Sequence, residues 1–413
     1  MSDPAASETL AAEIGSTYDA VPYDSGATEA LSLARVCGAA AVLGVPPPAG
    51  GSLEVLDIGC GGGAQLLLAA QEGAARLVGI DASADACARA RVRGAGLGER
   101  WRILHADAAG MDPADLGRFD VIYLLGTLYI MPPPARIRAL VLLASSLKPG
   151  GVAVINYYTG VMGLVRTRLG RVLHGSNDSA WPLQQQLATA RGNLQAIADV
   201  VPAQGSTRDV VLAVVNSMQN GADTVLFHEA LGPVYDPVHT GEVAAALAPQ
   251  GLVFLNYITP ISVQLAAGSA GAARTADAWD FASGGGYRTA LFMRSLAEGP
   301  RSERTSLTGV RHEDVVWSTG LRPVVVPGAA ASFEIPGRGG MQANTPAAHA
   351  ILDSLIAAPR RWSALRAAAL AWLKARGETS PDGFGTDLDT AIDDLLVLMW
   401  QNDMAWPAWQ QAA

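Results

Sequence analysis

The sequence predicts an α/β protein whose core is a doubly wound, Rossmann-like sheet of seven strands. Short apolar runs alternate with helix-length spacers from residue 51 to residue 158, which is typical of βαβ units and a parallel sheet. A glycine-rich turn and three acidic residues stand where the first strands end. In doubly wound folds ligands bind at this edge of the sheet, so the same observations predict a ligand site.

The elements follow in order along the chain. Residues 1–50 favour helices and predict an N-terminal helical lid. Five strands are predicted next, over LEVLDIG, RLVGID, WRILHAD, FDVIYLL and GVAVINYY. Residues 160–222 lose the strand pattern, which indicates a helical insertion. The apolar runs 223–231 and 251–258 predict the sixth and seventh strands.

Composition excludes several classes of protein. The chain has 413 residues, half of them hydrophobic, so it is long enough for two or three domains and too apolar to be disordered. Its net charge of −9 argues against general binding to nucleic acid or to anionic membranes. Three cysteines and six scattered histidines predict neither a disulfide framework nor a metal site. We expect a cytoplasmic protein, because no signal peptide or membrane span is apparent.

The motif LDIGCGGG is the sharpest chemical signal. It places Asp57 two residues before Gly59, with further glycines at 61 and 63, between a predicted strand and a predicted helix. Glycines here permit a tight turn and a close approach of backbone to ligand. Taken alone, the loop is also compatible with a dinucleotide site. It is not a phosphate loop, because no Gly-Lys-Ser/Thr follows.

Two further acids stand at the ends of the next strands. Asp81 follows Gly59 by 22 residues and can accept hydrogen bonds from both hydroxyls of a ribose. Asp107 lies just past the third strand. The glycine spacing and the three acids in this order resemble class I S-adenosylmethionine-dependent methyltransferases. In that family the position of Asp107 accepts a hydrogen bond from the adenine amino group.

The resemblance extends beyond the core. The segments YDAVPY, DTVLFHEAL, PVYDPVH, GLVFLNY and WDFASGGGYRTALFMR look like those of bacterial methyltransferases with a methyltransferase regulatory domain, such as the rickettsial-type protein lysine methyltransferases. The resemblance implies a core over 51–259, a middle or regulatory domain over 260–337 and a C-terminal winged-helix-like domain over 338–413. That last segment carries a net charge of −2, so we expect it not to bind DNA.

The implied cofactor is S-adenosyl-L-methionine, with S-adenosyl-L-homocysteine as product and no metal. The residues expected to bind it line the strand ends and the lid, and they are Tyr18, Asp57, Gly59, Cys60, Gly61, Asp81, Ala82, Asp107, Ala108 and Leu124. Cys60 is expected to be a small buried residue rather than a nucleophile.

The acceptor end departs from the family pattern. Leu125, Leu128 and Ile130 stand where relatives carry His, Tyr and Trp, and Tyr158 does not fit their pattern either. Loss of an aromatic residue at Ile130 weakens any cage for a lysine ammonium, so we expect a slight preference for a neutral side-chain nitrogen.

Methyl transfer needs a nucleophile held in line with the methyl donor, and an amide nitrogen also needs hydrogen bonds that hold it. The side chains expected to do this are Tyr129, Asn156, Tyr157 and Tyr23. His228 and Glu229 are interpreted as a structural pair on a strand, and Arg288 as a member of an interdomain ion pair.

Three functions remain open. The first is an N-methyltransferase that acts on a side-chain nitrogen, Asn amide or Lys amine, of a protein or ribosomally made peptide. The second is a small-molecule N- or O-methyltransferase. The third is a non-catalytic protein that binds the cofactor and a partner. The domains outside the core favour a polypeptide acceptor.

Overall fold

A computed structural model describes residues 4–23, 26–47, 52–202, 204–205, 208–261, 271–294, 308–325, 331–377 and 388–410. Its helices, in chain order, are α1 (Pro4–Ala20), α2 (Leu33–Val42), α3 (Ala64–Gln71), α4 (Ala84–Arg93), α5 (Pro133–Ser146), α6 (Gly160–Gly175), α7 (Leu183–Val200), α8 (Arg208–Gln219), α9 (Asp223–Leu226), α10 (Thr240–Leu247), α11 (Ala272–Ala282), α12 (Pro346–Ala357), α13 (Trp362–Ala375) and α14 (Leu388–Gln401). None of these helices combines the length and the hydrophobicity that crossing a membrane requires.

A seven-stranded sheet forms the centre of the fold. Its strands are β1 (Glu54–Ile58), β2 (Arg76–Asp81), β3 (Trp101–His105), β4 (Phe119–Leu124), β5 (Leu147–Tyr158), β6 (Leu252–Tyr257) and β7 (Tyr287–Arg294). The spatial order is β3-β2-β1-β4-β5-β7-β6, with β1 to β5 parallel and β7 antiparallel to β5. The strand order reverses between β1 and β4, where a doubly wound sheet opens a crevice for ligands. The predicted doubly wound, seven-stranded fold is confirmed.

One predicted strand is wrong, and one strand lies where none is predicted. Residues 223–231 form α9 and a π-helical turn over Phe227–Leu231, not a strand. A short apolar run is compatible with either a buried helix or a strand, and for this reason the pattern at 223–231 predicts a strand where the structure has a helix. The strand β7 comes instead from YRTALFMR, inside the predicted middle domain 260–337. The run 251–258 does form a strand, as β6.

The chain divides into two compact units. The first comprises Met1–Glu29, Gly50–Phe254 and Gly268–Gly299. It contains α6, α7 and α8, where the predicted insertion is indeed helical, and these helices pack on one another through leucines and valines such as Leu173, Leu194 and Val215.

The second unit comprises Ala30–Ala49, Leu255–Ala267 and Pro300–Ala413. It contains α2, α12, α13 and α14 and six short strands: β8 (Val315–Thr319), β9 (Arg322–Val324), β10 (Ala331–Ile335), β11 (Gly339–Ala343), β12 (Arg360–Arg361) and β13 (Ala405–Trp409). They form two three-stranded sheets, ordered β11-β10-β9 and β12-β8-β13. Trp317 and Trp400 are buried in this unit. Its winged-helix-like form and the four predicted domain bounds stay predictions.

Candidate active site

The glycine loop between β1 and α3 needs backbone angles that other residues rarely adopt. Gly59, Gly61 and Gly63 have φ of +76°, +50° and +76°. The amides of Gly59 and Cys60 both donate to the Ile80 carbonyl, at 2.8 and 3.0 Å, which joins the loop to the end of β2. A Cβ on Gly59 would collide with the Thr127 side chain, whereas one on Gly61 would meet only open space. The loop therefore leaves room for a ligand above Gly61.

Three carboxylates stand beside this loop, at the ends of β1, β2 and β3. Asp81 accepts hydrogen bonds from the amides of Gly61 (2.8 Å) and Ser83 (2.9 Å), one on each oxygen. Asp107 uses Oδ1 to accept from the Ala109 amide at 2.9 Å. Asp57 is fully enclosed, and its Oδ1 has no partner in the described structure. Each carboxylate oxygen has two lone pairs, so all three acids keep capacity for a ligand's donors.

Burial raises the pKa of two of these acids, Asp57 and Asp81. Desolvation, reinforced by the negative charge of Asp81, raises the pKa of Asp57 from 3.8 to about 7. Desolvation also raises the pKa of Asp81, although its two backbone hydrogen bonds oppose the change. Keeping a charge at Asp57 costs folding free energy that a ligand could recover by donating to Oδ1.

Asp57→Asn should therefore change how stability depends on pH. The pKa of Asp57 is higher in the folded than in the unfolded state, so protonated Asp57 favours the folded state. This contribution to stability is complete below pH 4 and is lost as the pH rises through 7. Between pH 5 and 8 the wild type should lose about 2–3 kcal/mol relative to the variant. Urea unfolding at both pH values measures this, with the exposed Asp115→Asn as the matched control. Parallel pH profiles for wild type and Asp57→Asn would contradict the assignment.

A cavity of about 450 Å³ runs from these acids along the edge of the sheet. That volume lies within the usual range for small-molecule sites. Its roof is α1, from which Ile14, Gly15 and Tyr18 line the cavity. The helix is anchored by Asp19, which accepts hydrogen bonds from the Ser83 hydroxyl (2.6 Å) and the Asp85 amide (3.1 Å) at the start of α4.

The far end of the cavity is aromatic. Four rings pack edge to face or tilted, with centroids 4.7–6.4 Å apart, and we name them the tyrosine cluster: Tyr129, Tyr158, Tyr235 and Tyr287. Tyr129, Tyr158 and Tyr287 line the cavity. Burial is the main cause that raises the pKa of each hydroxyl, so the four phenols stay neutral. The cluster offers aromatic faces and neutral hydroxyls, without a base of its own.

Asn156 ties two walls of this end together. Its Oδ1 accepts a hydrogen bond from the Gly126 amide, just after β4. Its side chain also hydrogen-bonds Tyr287 at the start of β7. The residue thus sets the spacing between the glycine side of the cavity and the tyrosine cluster.

A buried ion pair backs the tyrosine cluster. Arg166 of α6 donates to Glu229 Oε2, which also accepts from the Tyr158 hydroxyl at 3.2 Å. The guanidinium lies over the rings of Tyr158 and Tyr235, at 5.0 and 5.8 Å from their centroids. The structure therefore corrects the interpretation of Glu229, because it lines the cavity and its partner is Arg166 rather than His228.

His228 fastens the N-terminal segment over the cavity. Its Nε2 lies 2.6 Å from the Val21 carbonyl, and its ring stacks on Tyr18 at 3.8 Å. Burial lowers the pKa of His228, so the ring is neutral and its Nε2–H donates to that carbonyl. Tyr23 packs edge-on against the same ring at 5.9 Å. These contacts make α1 and Tyr23 a cover for the cavity.

Most of the predicted site residues lie together in the cavity wall. They are Tyr18, Tyr23, Asp57, Gly59, Cys60, Gly61, Asp81, Ala82, Asp107, Ala108, Tyr129 and Asn156. Burial and neighbouring acids raise the pKa of the Cys60 thiol, which fits a structural residue. Within the described residues, no group of His, Cys, Asp or Glu is arranged to hold a metal ion.

Two predicted residues lie elsewhere. Tyr157 is fully buried and its hydroxyl donates to Thr240 Oγ1 at 2.9 Å, because alternate residues of a strand point to opposite faces of the sheet. Its neighbours Asn156 and Tyr158 point into the cavity instead. Leu124 is fully buried in β4, and Leu125 takes the lining position. Tyr157 and Leu124 therefore do not line the cavity.

Sequence reasoning missed three important lining residues, Tyr158, Glu229 and Tyr287. The period of two along β5 could have identified Tyr158 once Asn156 was chosen. Arg288, expected in an interdomain ion pair, pairs at 2.6 Å with Asp280 of the same unit.

Comparisons with known proteins fit this geometry. Residues 55–151 match a family described as a methyltransferase domain. No curated protein sequence matches the chain. PKMT2 from Rickettsia typhi in complex with AdoHcy is similar in structure, with a TM-score of 0.76 at 18% identity over 94% of this chain and 78% of that one. A second structure of PKMT2 from Rickettsia typhi gives 0.76 at 17% identity with the same coverage.

At these identities the structural similarity establishes the fold, and the matched domain establishes the chemistry that the fold carries. The matched residues contain β1 without its first residue, β2 to β4, the glycine loop and the three acids. The chain is thus an enzyme with a class I S-adenosylmethionine-dependent methyltransferase domain.

Proposed function

We propose that this enzyme methylates a side-chain nitrogen of a protein or peptide, and that the nitrogen is an amine such as that of lysine. The observation that carries the proposal is the tyrosine cluster, with Asn156 and Glu229 beside it, at the end of the cavity away from Asp81 and Asp107. Aromatic faces attract cations, and both an ammonium acceptor and its methylated product are cations. The sequence predicts a slight preference for a neutral nitrogen because aromatic residues are missing at the positions where relatives carry them. In the structure, the tyrosine cluster provides aromatic faces at this end of the cavity instead.

The residues at the opposite end fit S-adenosylmethionine. Asp81 would hold the ribose hydroxyls and Asp107 the adenine amino group, while the unpartnered Oδ1 of Asp57 and the space above Gly61 would accommodate the remainder. When bound, this cofactor supplies a methyl group on a positively charged sulfur. The cover formed by α1 and Tyr23 excludes water, and Asn156 keeps the acceptor wall at a set distance from the glycine loop.

A polypeptide acceptor is supported by how much of the chain lies outside the matched domain. The resemblance to rickettsial-type protein lysine methyltransferases extends over the helical insertion and the second unit, and the similarity to PKMT2 covers 94% of this chain. None of the described residues that line the cavity comes from the insertion or the second unit. Those parts are therefore available to hold a larger substrate.

Asp81→Ala should weaken S-adenosylmethionine binding by about 1.5–3 kcal/mol, because it removes a charged acceptor for the ribose hydroxyls. Asp81→Asn preserves the shape and should retain part of the affinity. Isothermal titration calorimetry measures both, with the exposed Asp115→Ala as control. Undiminished affinity in Asp81→Ala would place the ribose elsewhere, and binding of NAD in place of S-adenosylmethionine would remove the cofactor assignment altogether.

Labelling in a cell extract tests the acceptor class. The enzyme and a methyl donor with a labelled methyl group are added, and the polypeptide and metabolite fractions are separated. We expect label in polypeptides, recovered after hydrolysis as an N-methylated amino acid. Label confined to metabolites would favour the second candidate, a small-molecule N- or O-methyltransferase, for which the covered cavity of about 450 Å³ is large enough. Label in neither fraction would favour a non-catalytic binding protein.

A further inference from the structure

The π-helical turn over Phe227–Leu231 directs two consecutive side chains into the cavity wall, His228 and Glu229. Turns of this kind are rare and recur at functional sites, because they alter the direction in which side chains leave a helix. Here His228 fastens the cover and Glu229 reaches the tyrosine cluster. Glu229 thus lines the cavity in addition to pairing with Arg166.

The two oxygens of Glu229 are in different situations. Oε2 accepts from both Arg166 and the Tyr158 hydroxyl. Oε1 accepts from none of the described residues, yet it is not among the buried oxygens that lack a partner, so it is open to the cavity. A carboxylate that is nine-tenths buried therefore presents one oxygen to a ligand.

Among the described residues that line the cavity, Glu229 is also the one carboxylate at this end, since the other three are Asp57, Asp81 and Asp107 at the glycine loop. Burial first, and the charge of Glu229 in addition, raise the pKa of all six surrounding tyrosine hydroxyls, at 18, 23, 129, 158, 235 and 287. The carboxylate thus stands at the centre of a ring of neutral phenols, none of which can replace its charge.

We propose that Glu229 binds the acceptor amine directly, with Oε1 accepting a hydrogen bond from the nitrogen that is to be methylated. This inference rests on the proposed function and assigns the residue that makes the site selective for an amine over an amide or a hydroxyl. Arg166 lies behind the carboxylate and balances part of its charge. An isolated carboxylate would attract the bound ammonium strongly and oppose the loss of the ammonium proton. Because Arg166 balances part of the charge, this opposition is weaker here.

The atoms balance as follows in the transfer. The acceptor ammonium releases one proton to water at the mouth of the cavity, where Tyr287 is 45% exposed. The lone pair of the neutral amine forms the new nitrogen–carbon bond as the carbon–sulfur bond breaks, and the electron pair of that bond stays on sulfur. The product is again a cation, and it retains an N–H for Glu229 after the first transfer.

The test compares wild type, Glu229→Gln and the control Glu99→Gln, which makes the same charge change at an exposed position outside the cavity. Substrates are three pools of N-acetylated synthetic peptides, each peptide with one central Lys, Gln or Ser. We expect Glu229→Gln to bind S-adenosylmethionine within about twofold of wild type and to lose about 30-fold or more in kcat/KM on the Lys pool. Glu229→Asp, which retains the charge, should recover part of that loss. Full activity of Glu229→Gln on the Lys pool would overturn the proposal.

A second measurement does not depend on activity. With S-adenosylhomocysteine present, n-butylammonium should bind wild type at least about tenfold more tightly than Glu229→Gln, because it donates N–H groups. Tetramethylammonium, which has none, loses only the attraction of the charge, so its affinity should fall by a smaller factor. Equal binding of n-butylammonium to the two proteins would refute the role of Glu229. If wild type methylated only the Gln or Ser pool, the amine acceptor of the proposed function would be refuted. The titration would still test separately whether Glu229 binds an ammonium group.

Discussion

Arg166→Leu is expected to lower the free energy of unfolding by about 3–5 kcal/mol, because it leaves the Glu229 carboxylate buried without its cation. The variant also loses the guanidinium contacts with Tyr158 and Tyr235. Urea unfolding monitored by circular dichroism measures the change. The matched control is Arg168→Leu, two residues further along the same helix and exposed.

The double variant Arg166→Leu with Glu229→Gln distinguishes a lost ion pair from lost packing. If the buried charge causes the effect, the double variant should recover at least about 2 kcal/mol relative to Arg166→Leu alone. Additive losses would show that packing dominates. A loss in Arg166→Leu no larger than that in Arg168→Leu would show that the pair is not formed in solution.

Gly59→Ala should be the most damaging change in the glycine loop. An alanine at φ +76° costs about 1–2 kcal/mol, and its Cβ would also collide with the Thr127 side chain. We expect a loss of stability of about 2–4 kcal/mol and no measurable S-adenosylmethionine binding. Gly73→Ala is the control. Gly73 has a φ of +92° and open space where a Cβ would lie, so this variant has the cost of a left-handed backbone conformation without a steric collision.

Gly61→Ala should behave differently, because its Cβ meets open space within the ligand cavity. Its stability should match that of Gly73→Ala, while its affinity for S-adenosylmethionine falls at least about tenfold. Thermal unfolding and calorimetric titration of the three variants test this pattern. Equal affinity in Gly61→Ala and Gly73→Ala would mean that the cofactor does not approach this backbone.

The cofactor end was predictable from sequence because its determinants are local. The glycine loop and the acids at 57, 81 and 107 follow buried strands whose carboxyl ends must meet at one edge of a parallel sheet. The acceptor end was less predictable because its parts are distant in the chain. Tyr129, Glu229 and Tyr287 come from three separate segments, and only the tertiary fold brings them together.

Two differences between the sequence-based expectations and the structure have specific physical causes. The run at 223–231 has the apolar character of a strand, but a buried helix with a π turn satisfies the same composition. That error concealed Glu229, because a residue assigned to the sheet interior was interpreted as structural. Tyr157 lies outside the cavity because side chains alternate along β5, where Asn156 and Tyr158 share the face toward the cavity.

The central claim is that an amine nitrogen of a polypeptide side chain, such as that of lysine, receives the methyl group at the tyrosine cluster. The most direct measurement is fragment-ion mass spectrometry of the Lys, Gln and Ser peptide pools after incubation with wild-type enzyme and labelled methyl donor. The account predicts label on the side-chain nitrogen of the central lysine. Label on a hydroxyl or on the amide nitrogen, or label on a free metabolite with none on any peptide, would contradict it.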